Sequence, residues 1–160
     1  MNRKQENPEL QFVRENFGTI WPQHLRAFTQ LLIQLHDKFD GDLELLLILA
    51  VIGDRTRPEE WNPELLTYDQ LTRGDGQEHF QVPINMQSIA DFSGIPRETV
   101  RRKVSTLQKK GWVGRDGNGN LFVLRNASKE LEESTNDSVK YLADILKAFE
   151  TAKASAAPIR

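Results

Sequence analysis

The stretch INMQSIADFSGIPRETVRRKVSTLQKKGWV, residues 84–113, carries two helical signals separated by a tight turn. Asn85 has a side-chain oxygen able to accept from the open amides of a first helix bearing Ile89, Ala90 and Phe92. Gly94 ends that helix because it tolerates the left-handed conformation, and Pro96 is preorganised to begin another. Ala90, Gly94 and Val100 stand four and six residues apart, which suits a helix-turn-helix: a small residue lets the helices approach, Gly takes the turn, and Val packs the second helix on the first. With Val100, Val104 and Leu107 facing inward, Arg97, Glu98, Arg101 and Arg102 fall on or near the outward face of the second helix. The N-terminal half of such a helix fits a major groove.

Charge sharpens this expectation. The whole chain has 160 residues and a net charge of -2, but residues 97–125 hold eight cations (Arg97, Arg101, Arg102, Lys103, Lys109, Lys110, Arg115, Arg125) against two acids (Glu98, Asp116), a local +6, and the remainder carries -8. A basic segment on an acidic body is the electrostatic footprint of a polyanion-binding surface; a solvated basic helix face is the plainer alternative. Beyond Gly111, Trp112-Val113-Gly114-Arg115 and Leu121-Phe122-Val123-Leu124 are β-prone runs around Asp116-Gly117-Asn118-Gly119-Asn120, where Gly and Asn accept positive φ, so a hairpin is expected. The same turn mimics the opening of a calcium loop. Leu121 stands where that loop needs Gly, however, and Ala127 where it needs the bidentate Glu, which favours a plain hairpin.

Residues 84–123, with the Arg97-Glu98-Thr99-Val100 helix start and Arg102 one turn on, resemble the winged helix-turn-helix of bacterial transcription regulators and, in the second helix, the cyclic-AMP receptor protein and Fnr family. The resemblance implies that Arg97, Glu98 and Arg102 read base edges. The chemistry suits the role: an Arg fork donates to O6 and N7 of guanine, and a Glu carboxylate accepts from the cytosine amino group. Thr99, Arg101 and Lys103 then touch phosphates or position the helix, and Arg115 reaches the backbone or minor groove from the wing.

Around this centre the expected fold is mainly α: a winged helix-turn-helix with a small β-hairpin wing, flanked by N- and C-terminal dimerisation helices. The expected divisions are an N-terminal helical region over residues 1–54, a loop or insertion over 55–78, the winged domain over 79–125 and a C-terminal helical region over 126–160. Leu25, Phe28, Leu32, Leu35 and Phe39 recur at steps of three and four after Trp21-Pro22, and a shorter helix is expected over residues 8–17, interrupted at Gly18-Thr19. The helix from about Leu43 is apolar nearly all round and needs cover from this chain or a second copy. Residues 79–84 alternate as a short strand. In the C-terminal part Leu131, Thr135, Ser138, Leu142, Ile145, Phe149 and Ala152 form a seam flanked by Val139 and Leu146, with a possible break at Asn136-Asp137. Helices on both sides of a winged domain resemble the MarR-type layout, in which terminal helices form the dimer. A twofold dimer would read two half-sites about 34 Å apart.

These observations exclude several classes. There is no cysteine, hence no disulfide, thiolate metal site or cysteine nucleophile. His24 and His36 would stand about 18 Å apart on one helix and cannot share a metal ion. No Gly-rich phosphate loop and no nucleophile elbow occurs, so no enzyme, cofactor or metal is expected. The longest apolar run is eight residues, and the N-terminus has no apolar segment of signal type, so a cytoplasmic chain without membrane spans is expected. The expected partners are double-stranded DNA and a second copy of the chain, in a sequence-specific transcription regulator. The alternatives are a winged-helix module that docks an acidic protein, and a regulator whose small-molecule effector sits between the helical and winged parts near Trp21, Trp61 or Tyr68.

Overall fold

The structure, a computed structural model, describes residues 7–56, Tyr68 and residues 82–156. In chain order the elements are α1 (Pro8–Glu15), α2 (Phe17–Lys38), α3 (Leu43–Arg55), α4 (Met86–Ser93), α5 (Arg97–Lys109), β1 (Val113–Arg115), β2 (Leu121–Val123), α6 (Arg125–Glu130) and α7 (Glu132–Ala156). They form two compact units: residues 35–133, and residues 1–34 with 134–160.

The central unit is a winged helix. Asn85 caps α4 by accepting from the Ser88 amide at 3.0 Å, and Gly94 ends it at φ 72°, releasing the chain into α5. Ile89, Val100, Val104 and Leu107 are fully enclosed, and they meet Leu45, Ile48 and Ile52 of α3 in a single core. Cover for the apolar helix α3 thus comes largely from its own chain, although Leu43 and Leu47 remain about half exposed. Phe92, on the same helix as the buried Ile89 and Ala90, is 68% exposed, with the Arg55 guanidinium 6.0 Å from its ring centre. It sits about 60° round the helix from the arc that Ile89 and Ala90 bury, too far to join them.

Strands β1 and β2 pair antiparallel, Val113 opposite Val123 and Arg115 opposite Leu121. The strand expected over residues 79–84 lies outside the described residues for its first three positions. Residues 82–84 are not in a strand, but the Val82 N–H donates to the Arg55 carbonyl and the Leu121 N–H to the Ile84 carbonyl, so the segment is bound to the end of α3 and to β2. Trp112 is buried at the hairpin's root. Its ring meets Phe39 edge-on at 5.8 Å and its indole N–H donates to Glu130 Oε2 at 2.7 Å. That bond, then the Asn126 amide, holds the Glu130 carboxyl below its ordinary range.

The other unit is helical. Gln34 donates to Asp137 at 3.1 Å, His24 Nδ1 meets the Tyr141 hydroxyl at 2.9 Å, and the rings of Phe12 and Phe149 lie 6.4 Å apart, so α2 and α7 run antiparallel. Helix α2 starts five residues before Trp21-Pro22 ends: the break falls at Asn16 and Gly18 lies inside the helix. Pro22 denies the Gly18 carbonyl its partner, but Gly18 is exposed and water can supply one. Helix α7 runs unbroken through Asn136-Asp137, with Asp137 engaged by Gln34. Asn and Asp carry only a modest helix penalty, which such a contact overrides.

Replacing Leu107 with Ala removes a fully buried side chain at the meeting of α3 and α5. It should destabilise the central unit by about 2 to 5 kcal/mol, seen as an earlier denaturant midpoint in Trp112 fluorescence. An unchanged midpoint would mean that this core is not the one that holds the fold.

Candidate nucleic-acid interface

Burial of Val100, Val104 and Leu107 turns the opposite side of α5 outward. Arg97, Glu98, Arg101 and Arg102 are exposed, Thr99 is half-buried, and Lys103 lies on the flank toward α3. Arg97 and Arg102 make no side-chain hydrogen bond or ion pair among the described residues. Their guanidinium forks are open for a ligand. Lys109 and Lys110 extend the cationic face along the helix, though the Lys110 ammonium also sits 5.0 Å from the Trp112 ring centre.

Glu98 is engaged. Arg101 Nε donates to both of its carboxylate oxygens, at 3.1 and 3.0 Å, and Nη2 adds a bond to Oε1. The Arg101 hydrogen bonds first, opposed by a little burial and aided by the charges of Arg101 and Arg102, hold the Glu98 carboxyl below its ordinary range, and Arg101 is correspondingly raised. Both side chains are well exposed, so the pair orders the carboxylate more than it stabilises the fold. Lys103 is bound differently. Its ammonium pairs with Asp42 Oδ2 and lies 3.9 Å from Glu44, and only 15% of its side chain is exposed. Nothing local in the sequence announces a pair between residues 61 apart.

The hairpin turn is organised by Asp116. Its Oδ1 accepts from the amides of Asn118 and Asn120, both at 2.9 Å, and its own N–H donates to the Asn120 carbonyl. The Asn120 amide bond foremost, with the Asn118 and Gly119 amides, holds the Asp116 carboxyl below its ordinary value. These oxygens serve the turn, in keeping with a plain hairpin. Gly119 closes the turn at φ 83°, and the exposed Arg115 guanidinium folds across it, so that a Cβ there would lie 3.3 Å from Nη2. The wing therefore presents its cation at the tip.

Of the aromatic residues expected beside an effector, Trp61 lies outside the described residues, Tyr68 is half-buried, and Trp21 is exposed on α2. A groove of about 410 Å³ does run between α2 and α7. It is lined by Gln23, Arg26, Gln30, Lys140, Asp144 and Lys147 among others, and Trp21 is not part of it.

A mainly α winged helix-turn-helix whose second helix is basic defines the class of protein. Residues 64–129 match the Crp-like helix-turn-helix domain. Transcriptional activator protein FnrL of Cereibacter sphaeroides is 27% identical over 130 residues, which cover 79% of this chain and 52% of that protein. The chain thus spans about half the length of the curated relative it matches, and no solved structure matches it. By these matches and its fold, the chain carries a Crp-like helix-turn-helix domain and is similar to FnrL over 79% of its length. No helix among the described residues is long and apolar enough to cross a membrane.

The wing's dependence on Asp116 has a defined sign. A carboxyl depressed in the folded state contributes stability that is present above its ordinary value of 3.8 and is lost as the pH falls through the depressed one. Protection factors of the Asn118 and Asn120 amides should therefore fall on acidification below 3.8, and at neutral pH in Asp116→Ala, with the α5 core amides unaffected. Equal protection in the variant would show that the turn is held by something else.

Proposed function

We propose that the protein is a sequence-specific DNA-binding transcription regulator that acts as a homodimer. The observation that carries the reading is the pair of open guanidinium forks, Arg97 and Arg102, on the exposed face of a helix whose other face is locked into the core. In this reading Arg97 and Arg102 donate to guanine edges and Glu98 accepts from cytosine, while Thr99 and Arg101 lie nearer the sugar-phosphate backbone and Arg115 reaches it from the wing. FnrL is by name a transcriptional activator, which supports transcription as the setting. The sign of regulation of this chain does not follow from that name.

The homodimer rests on the helical unit. Helix α2 exposes Phe17, Trp21, Leu25, Phe28 and Leu32 along one stripe, and α7 exposes Val139, Leu142 and Leu146. These eight large apolar side chains are each 38 to 61% exposed, and on an antiparallel pair they fall on the same side, opposite the polar groove. A continuous apolar face of this size signals association. A second copy satisfies it in kind, as one two-helix layer closes on its twin around a twofold axis.

Two experiments test these readings. Duplexes selected by the protein from a random pool should share a motif, and Arg102→Ala should relax preference at one position of each half-site at a loss of about 1 to 3 kcal/mol. Salt-dependent binding without base preference would instead favour docking of an acidic protein on the same cations. Light scattering should give twice the chain mass for the wild type and the monomer mass for Leu142→Glu with Leu146→Glu. A monomeric wild type at micromolar concentration would remove the dimer.

A further inference from the structure

Lys103 stands in the most cationic run of the chain, Arg101-Arg102-Lys103, and by sequence alone it is one of the side chains that either touch phosphate or set the helix. Its surroundings separate the two roles. The Lys103 side chain is 15% exposed against 63% for Arg101, and its ammonium sits between two carboxylates, bonded to Asp42 and 3.9 Å from Glu44. To reach a phosphate it would have to abandon both. Asp42, two-thirds shielded, would then face the polyanion without its counter-charge, and Glu44 with it. Three charges would each be worse placed, for the gain of one phosphate contact.

Asp42 does two jobs at once. Oδ1 accepts from the Leu45 amide at 2.9 Å and so caps α3, and Oδ2 receives the Lys103 ammonium from the middle of α5. Burial alone would raise this carboxyl, but the Lys103 hydrogen bond, the Leu45 amide and the charges of Lys103 and Arg102 bring it below 3.8, so it stays ionised at neutral pH. The chain enters α3 through Asp40 and Gly41, at φ 52° and 79°, a turn that leaves little freedom in the direction of Asp42. One ion pair therefore ties the rotation of α5 about its own axis to the first turn of α3. Apolar contacts allow a helix to roll by small angles with little penalty, whereas a directed ion pair at the rim resists it. A roll moves the tips of long side chains such as Arg102 farther than it moves the backbone.

We propose that Lys103 is a positioning residue for DNA reading, acting through Asp42 to hold the rotation of α5, and that it does not contact phosphate. The inference rests on α5 being the reader helix. At the Asp42 end of the ion pair its consequence has the opposite sign from that of simple electrostatics. Asp42→Asn keeps an oxygen to cap α3 and removes a negative charge near DNA. If charge alone mattered, that variant would bind every duplex more tightly. If the pair positions the reader, it loses discrimination.

The test measures binding of full-length wild type, Lys103→Met, Lys103→Arg, Asp42→Asn and the Lys103→Met, Asp42→Asn double variant. The probes are a duplex selected from a random pool by the wild type and a scrambled duplex, each over a range of salt concentrations. A phosphate contact contributes about one unit to the slope of log K against log salt. The expected result is an unchanged slope and a severalfold smaller ratio of selected to scrambled affinity in Lys103→Met and in Asp42→Asn. The double variant should be no worse than either single one, and Lys103→Arg should keep the wild-type ratio. Trp112 fluorescence on denaturation establishes that each variant is folded, and the Asn variant carries the test alone if Lys103→Met does not fold. A slope lower by about one unit with the ratio intact, tighter binding of all duplexes by Asp42→Asn, or no change in any variant would each overturn the proposal. Arg102→Ala is the control for the underlying reading: if it leaves the ratio unchanged, α5 is not the reader, whatever Lys103 does.

Discussion

Three side chains on one face of α5, Val100, Val104 and Leu107, have no exposed surface at all, and what the rest of the molecule presents depends on their burial. Their spacing of four and three fixes which side of the helix meets α3 and α4. The rest follows from geometry: Arg97, Glu98, Arg101 and Arg102 turn outward because the opposite face is spoken for. Each of these apolar residues removes from water an area worth about 1.5 to 3 kcal/mol. The arrangement is thus held by dispersion and solvent exclusion, which impose position along the helix well and rotation about it less sharply. The polar contacts at the rim supply that second constraint. Asp42 takes up the flank of α5 through Lys103, and Glu130 receives the indole of Trp112 where the helix gives way to the wing.

The elements legible in the sequence are those whose signals are local. Asn85, Gly94 and Pro96 mark the ends of α4 and α5 by residue type, and each does in the structure what its chemistry suggests. The hairpin was equally plain, because Asp116 bonds to amides two and four residues on and Gly119 takes a positive φ that few other residues accept. Periodicity sufficed to locate α2, α3 and α7. It did not say which stripe each buries. On α2 the side chains that repeat at steps of three and four, Leu25, Phe28 and Leu32, stay exposed, and the buried ones are Ile20 and Leu31. On α7 the buried positions are Ser134, Ala148 and Ala152, small residues that let two helices approach but that rank low on any hydrophobic scale. A helix with apolar residues on two faces is ambiguous until its partner is known.

Boundaries set by Pro and Asn-Asp went astray for a related reason. Pro22, Asn136 and Asp137 are poor helix residues in isolation, yet α2 and α7 run through them. Their penalties amount to one lost hydrogen bond at an exposed turn and a fraction of a kilocalorie per polar residue, less than the packing of long antiparallel helices returns. Contacts distant in sequence were beyond reach altogether. His24 with Tyr141, Gln34 with Asp137 and Lys103 with Asp42 join residues more than sixty positions apart, and no motif encodes them.

The charge count illustrates how this limit bears on function. A local balance of +6 treats eight cations as equivalent. In the structure they divide by what they already hold. Lys103 is committed to Asp42, Arg101 to Glu98, and Lys110 in part to the face of Trp112, whereas Arg97 and Arg102 have nothing to surrender before they meet a ligand. A cation that must first break an ion pair contributes to binding only the difference between old and new partners. An open one contributes the whole interaction, less its hydration. On the proposed function, selectivity between duplexes would concentrate in the two open arginines and in the carboxylate that Arg101 holds still. The committed cations would then set the field and the posture in which those groups arrive. The same total charge with the pairings exchanged would attract a polyanion equally well and read it poorly.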